Sequence, residues 1–475
     1  MKSPLAASVD RLRTDPVATG RTLPHLDGIR GMAVLFILIR HAWGLSGQSA
    51  AVVHLPGYGS ISLAPFIDMM SSGIDLFFVL SAYLLAQQFI RADFQGNPRP
   101  DLRRYFRTRF LRIAPPYWVV LILTLILFTP TLIAPSLVYS SHGFITIILH
   151  GLFLQTAWFG SYGIWNIASP FWTLTIEVLF YAVLPWVVPL YYRNRPWLIG
   201  LPAGLAVSLL WLALVRWHLG PVAHWVVLHS QRPGSPQASA QYWLSQQIPA
   251  SAFDFAMGMA MANLVVRRQL DLARTPLATA ATSERAGTIY AAVGMLLAAF
   301  SMWRLGVPAL AHQFYFGGAV ATPTTPGRLY YFLNQLPFAI AYGLLIAGVT
   351  LGHRVLRRLF GASPLALFGV LGYSIYLIHM QFLYLFNTFP SIYFSSTPRA
   401  HFFKLLFGAG TATVIVAVGL YLAVERPFIF RSRQARQASP DPPGHLDQPI
   451  SDLAPSPTPI AAVTKDVGDS IQTHR

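Results

Sequence analysis

The chain contains no cysteine. That excludes disulfides, thiolate metal sites and a cysteine nucleophile. Charge is scarce too: 11% of the 475 residues are Asp, Glu, Lys or Arg, against roughly 25% in soluble domains. Acidic groups are the rarer sign, 17 against 34 Lys and Arg. A basic excess can signal nucleic acid binding. Here the arginines fall between apolar runs rather than on one soluble face, which is the pattern that orients membrane helices. Nucleic acid is therefore not an expected partner. The first 20 residues are polar and lack an apolar stretch followed by a small-residue cleavage site, so no cleavable leader is read there.

What the chain has in quantity is apolar sequence, 54% of it. Runs long enough to span a bilayer occur near 31–48, 73–90, 113–130, 170–190, 197–217, 250–266, 286–303, 333–351, 364–388 and 403–423. An eleventh run, 145–159, is shorter and carries His150 and Gln155. Arg11, Arg13 and Arg21, the cluster "RRYFRTRFLR" (103–112), "YYRNR" (191–195), Arg267 and Arg268, "HRVLRR" (353–358) and "RPFIFRSRQAR" (426–436) all belong on the cytoplasmic side. They agree on one side only if 145–159 does not cross. The expectation is an all-α polytopic integral membrane protein with about ten transmembrane helices and one re-entrant or interfacial segment, set in a bacterial inner membrane with both termini cytoplasmic. Its parts are a cytoplasmic segment 1–22, a membrane-embedded region 23–430 and a Pro-, Ser- and Asp-rich tail 431–475, whose composition predicts disorder.

Ionisable residues inside such helices are costly and mark sites. In "LDGIRGMAVLFILIRH" (26–41) Arg30 and His41 are eleven residues apart, which returns to within about 20° of the same helical face with a rise of about 16 Å. A snorkelling arginine and a histidine bonded to a neighbouring helix would satisfy the spacing equally well. In "RYFRTRFLRIAPPY" (104–117) Arg109 and Arg112 share one face, and their guanidinium forks suit phosphate oxygens. Asp75 opens the second span, where it complements the helix dipole. Glu177 lies about two turns into the fourth and needs a proton or a cation, with Arg30, Arg40 and His41 on offer. His379 sits mid-span beside Tyr373, Ser374 and Tyr376, where a hydrogen bond to a tyrosine would also explain it.

Six stretches occur in a telling order: "LDGIRGMAVLFILIRH", "GIDLFFVLSAYLL", "RYFRTRFLRIAPPY", "FWTLTIEVLFY", "GYSIYLIH" and "VERPF". Together they resemble the bacterial acyltransferase-3 family of integral membrane acyltransferases, whose members O-acylate surface glycans, glycolipids, Nod factors, peptidoglycan and some antibiotics. The resemblance implies that Arg30 and His41 form the family's arginine–histidine motif, Arg109 and Arg112 its RxxR pair, and Glu177 the first acid of its "WSLSVEEQFY"-like motif. Trp172, Tyr181, Tyr373, His379, Asp75 and Arg40 are candidates for supporting roles. Val178 and Leu179 stand where a second Glu and a Gln are usual, Ala82 where Gly is common, and Arg40 where an apolar or small residue is usual. For Arg40 the expected partner is Glu177.

The implied reaction moves an acyl group, acetyl by default, from cytoplasmic acyl-CoA to a hydroxyl of an extracytoplasmic glycan or glycolipid. A thiolate leaves readily, whereas a hydroxyl needs a base. His41 is expected to be that base and Arg30 to orient the donor. Arg109 and Arg112 would hold the donor's phosphates, and no metal is required. A covalent acyl-histidine is an alternative route. The alternative function is a transporter or exporter of a lipid-linked sugar or small solute.

Overall fold

The computed structural model describes residues 24–47, 52–55, 59–128, 140–158, 170–229, 243–244, 246–270, 272, 276–306, 335–361, 364–389 and 397–437. The expected N-terminal segment, nearly all of the tail and much of the long connections 131–169, 218–249 and 304–332 lie outside these residues.

The described residues form a helical bundle. Its main helices are α1 (Pro24–Leu45), α2 (Gly73–Gln95), α3 (Leu102–Leu123), α4 (Ser141–Gly151), α5 (Trp172–Val187), α6 (Leu201–His229), α7 (Ala252–Gln269), α8 (Glu284–Gly306), α9 (Gln335–Leu351), α10 (Arg354–Gly361), α11 (Pro364–Val370), α12 (Gly372–Thr388), α13 (Gly410–Leu420) and α14 (Arg426–Gln437). Eight continuous helical stretches are long and apolar enough to cross a membrane, and two bent pairs bring the total to as many as ten. The protein is thus an all-α polytopic membrane protein. One departure is a short antiparallel hairpin after α1, β1 (Val52–Leu55) with β2 (Gly59–Ser62), which pairs Val52 with Ser62 and Leu55 with Gly59.

The run 145–159 yields α4, an 11-residue helix of about 16 Å. That is too short to cross about 30 Å of hydrocarbon. Tyr117 and Trp118 of α3 donate to the carbonyls of His150 and Gly151 at its end, each at 2.9 Å.

Two pairs of consecutive helices are sharply bent. α9 turns 110° into α10, and α11 turns 82° into α12. Both α10 and α11 rest against α1. A Cβ on Gly369 would lie 1.7 Å from the Asp27 carbonyl oxygen, one on Gly31 would lie 1.9 Å from the Leu365 oxygen, and one on Gly28 would lie 2.2 Å from the Phe360 oxygen. Only glycine permits backbones that close.

Lipid-facing and central helices differ as their sequences require. α7, rich in Ala and Met, is buried on nearly every side and meets α2 where Gly258 faces the Val79 carbonyl. α6 and α8 instead turn Leu210 and Leu296 outward, 68% and 70% exposed. Where the surrounding medium is hydrocarbon, such exposure has no cost.

Candidate functional site

α1 is one continuous helix from Pro24 to Leu45, so Arg30 and His41 lie on a single rigid rod with the expected separation. The structure surrounds each with a separate cluster.

At the Arg30 end, Nη1 of Arg30 bonds Asp27 Oδ1 at 2.8 Å, one turn back on α1. Arg112 of α3, Glu177 of α5 and Glu425, just before α14, lie within electrostatic reach of Arg30. Arg109 shares the field of Arg112, Glu177, Tyr105 and Tyr181. Glu177 Oε1 accepts from Ser81 Oγ at 2.9 Å and from the Tyr181 hydroxyl at 2.5 Å. Glu425 Oε2 accepts from Ser374 Oγ at 2.8 Å. Both carboxylates are thus held by neutral hydroxyls. Among the described residues neither Arg109 nor Arg112 makes an ion pair within 4 Å, and Nε of Arg109 is buried with no hydrogen-bond partner. A buried guanidinium donor without an acceptor is expensive. An anion entering this cluster would relieve that cost.

Local sequence explains the placement. Asp101 caps α3, its side chain accepting from the Arg103 N–H at 3.0 Å, which sets the register of Arg109 and Arg112. Pro115 and Pro116 remove the donors for the carbonyls of Leu111 and Arg112, and the Tyr373 hydroxyl donates to the adjacent Ile113 carbonyl at 2.8 Å. This bond ties α12 to α3 beside the arginines.

At the other cluster, Nδ1 of His41 meets Nε2 of His379 at 2.9 Å, the ring centroids 5.0 Å apart. Nδ1 of His379 lies 2.7 Å from the Tyr376 carbonyl oxygen. A carbonyl only accepts, so that nitrogen carries a proton. The remaining nitrogen of a neutral His379 then accepts from Nδ1–H of His41. By that chain Nε2 of His41 keeps a free lone pair. The Tyr376 hydroxyl donates to the Pro170 carbonyl at 2.5 Å and meets Thr173 Oγ1 at 2.6 Å, anchoring the relay to the start of α5.

The structure corrects the expectation for Arg40. Its Nε donates to the Asp68 carbonyl at 3.1 Å and its Nη2 lies 3.8 Å from Asp68 Oδ1. Arg40 is ten residues beyond Arg30 on α1, about 15 Å along the rod. Glu177 sits in the Arg30 cluster, with its hydroxyl partners already in place, whereas the flexible arginine stem carries its charge toward Asp68, between β2 and α2. Asp75 and Trp172 stand outside both clusters. Asp75 is buried near Asp254 and Tyr342, and Trp172 packs edge-on against Phe78. Tyr181 and Tyr373 belong to the arginine cluster, and His379 to the histidine pair. Sequence reasoning assigned no role to Glu425, although the stretch "VERPF" that contains it stood out. An acid in the last span is the signal that pointed there.

The chain matches the acyltransferase domain family over residues 23–422. It is 23% identical over 374 residues to the peptidoglycan O-acetyltransferase OatA of Listeria monocytogenes, covering 75% of this chain and 49% of that protein. It is 29% identical over 200 residues to O-acetyltransferase OatA of Staphylococcus aureus, covering 39% of this chain and 28% of that protein. Over 98 residues it is 34% identical to protein 2 in the picA locus of Rhizobium radiobacter, 21% of this chain and 41% of that one. The chain spans about half the length of the Listeria relative. No solved structure matches it. With a family match running through every span from α1 to α13, the chain belongs to the acyltransferase-3 family of acyltransferase domains.

Proposed function

We propose that the protein is a membrane O-acyltransferase that moves an acyl group, acetyl by default, from cytoplasmic acyl-CoA to a hydroxyl of an extracytoplasmic glycan or glycolipid. The observation that carries this reading is the histidine pair. A histidine fixed by a second ring, with its far nitrogen open, is a positioned general base. Family membership supports acyl transfer, and the name of the Listeria relative points to glycan hydroxyls as the acceptor class.

In this mechanism Arg109 and Arg112 bind the phosphates of the donor, with Arg30 beside them. Arginine forks without carboxylate partners are suited to phosphate. The thioester arm runs along α1 toward His41. Nε2 of His41 takes the acceptor hydroxyl proton as the oxygen bonds to the acyl carbon. The carbon–sulfur bond breaks, and the departing thiolate takes a proton in turn, so the base returns to its starting state. Glu177 and Glu425 balance the arginine charges between turnovers. The arginine-rich loops support a donor side in the cytoplasm of a bacterial inner membrane, with both termini on that side.

The test is thioester-dependent acylation by purified protein. His41→Gln should lower turnover by roughly 10²–10⁴-fold, the range for a general base, with the protein still monodisperse. Near-normal turnover in that variant would remove His41 from the chemistry. A wild-type protein that consumes no acetyl-CoA with any glycan acceptor would overturn the proposed activity and favour transport.

A further inference from the structure

The arginines of "HRVLRR" are more than a topological signal. α9 has 17 residues, about 25 Å, close to the thickness of bilayer hydrocarbon. The chain then turns 110° into α10, so α10 runs steeply across the direction of α9, directly after that helix's apolar run ends. Its eight residues divide into faces. At about 100° per residue, Arg354, Arg357 and Arg358 fall within an arc of about 100°, and all three are exposed. Val355 and Leu359 occupy the adjoining flank, 63% and 61% exposed. Phe360 is buried, its backbone carbonyl against Gly28 of α1. Among the described residues none of the three arginines makes an ion pair, while His353 at the turn reaches Glu284 at 3.9 Å.

We propose that α10 lies in the headgroup layer of the membrane and binds anionic phospholipid, with Arg354, Arg357 and Arg358 on the lipid phosphates and Val355 and Leu359 among the upper acyl carbons. A short helix with apolar and cationic faces side by side has that as its lowest-energy position. Three unpaired cations favour negative headgroups over zwitterionic ones. The site is distinct from the Arg109–Arg112 cluster, which is enclosed between helices. Because α10 seats on Gly28, two residues before Arg30, lipid bound here braces the donor end of α1.

The absence of cysteine makes a local probe available. Leu359→Cys, labelled with an environment-sensitive fluorophore, is reconstituted in phosphatidylcholine vesicles carrying a minor fraction of phosphatidylglycerol. Quenching is then compared for a nitroxide carried on phosphatidylglycerol and on phosphatidylcholine at equal content. We expect the anionic quencher to be about threefold or more as effective at low salt, given the attraction of each surface arginine for anionic lipid, and the preference to shrink in high salt. Adding Arg354→Gln, Arg357→Gln and Arg358→Gln should equalise the two quenchers. Equal quenching in the labelled protein with its arginines intact would overturn the proposal, and that arm needs no charge variant to fold. A preference that survives the triple substitution would also overturn it. So would loss of the preference on adding free coenzyme A, which would assign these arginines to a soluble phosphate ligand.

Discussion

Removing His379 tests the tautomer argument most directly. His379 is 1% exposed, with 2.7 Å and 2.9 Å contacts to the Tyr376 carbonyl and to His41 Nδ1. In His379→Ala the Nδ1–H of His41 loses its acceptor in a buried setting, at a cost of about 1–3 kcal/mol. His41 can escape that cost by turning its ring or moving its proton to Nε2, and either change removes the lone pair from the acceptor hydroxyl. A misdirected tautomer in a catalytic triad lowers turnover about 10⁴-fold. Here the ring keeps some freedom to sample the productive state, so a loss of roughly 10²–10³ in kcat is expected. KM for the donor should move little, since the arginine cluster is untouched. His379→Gln places an amide oxygen near the former Nε2 and should recover at least about tenfold of the loss. The assay is coenzyme A thiol release with a glycan acceptor, on protein checked for a single size-exclusion peak. Should His379→Ala retain half of wild-type kcat, or His379→Gln prove no better than alanine, the relay has no catalytic meaning.

Arg109→Ala should raise KM for acyl-CoA about tenfold or more while expression holds, and Arg109→Lys should recover only part, because an ammonium lacks the fork. Unchanged donor affinity would refute the phosphate role. Arg40→Gln strands Asp68 in a half-buried site and should destabilise by about 1–3 kcal/mol, read as a lower melting temperature. Adding Asp68→Asn should restore part of that loss, and a strictly additive double variant would show that the pair is not coupled. Gly369→Ala should abolish the folded, monodisperse protein, since its Cβ would meet the Asp27 carbonyl oxygen at 1.7 Å. Gly419→Ala, which meets nothing within 4 Å, should be neutral or stabilising by about 0.5–1 kcal/mol.

The spans were legible because hydrocarbon demands long apolar runs, and the shortness of α4 follows from the same rule. The clusters were legible in part. Spacing alone placed Arg30 and His41 on one face and paired Arg109 with Arg112, because a helix turns at a fixed angle. It was silent on what approaches each face from another helix. His379 lies 338 residues from His41, and no local rule connects them. Arg40 shows the converse error: choosing the nearest acid by type overlooked that Asp68 stands at the same end of α1. The breaks after α9 and α11 were also hidden, because a glycine that marks a backbone contact is indistinguishable in sequence from one that is merely tolerated.

The seam of Gly28, Gly31 and Gly369 has a mechanical meaning. Backbones in direct contact, with no side chains between them to change rotamer, move together or not at all. Arg30 and His41 ride on α1, and Ser374 and His379 ride on α12, just beyond the break seated on it. The two histidines are therefore carried by α1 and by the helix that continues from this seam, and they meet at 2.9 Å. α3 and α5 join α12 through side chains instead, by the Tyr373–Ile113 and Tyr376–Thr173 hydrogen bonds. Those two carry Arg109, Arg112 and Glu177. The base thus sits beside a seam of touching backbones, and most of the charged cradle sits on joints made by side chains.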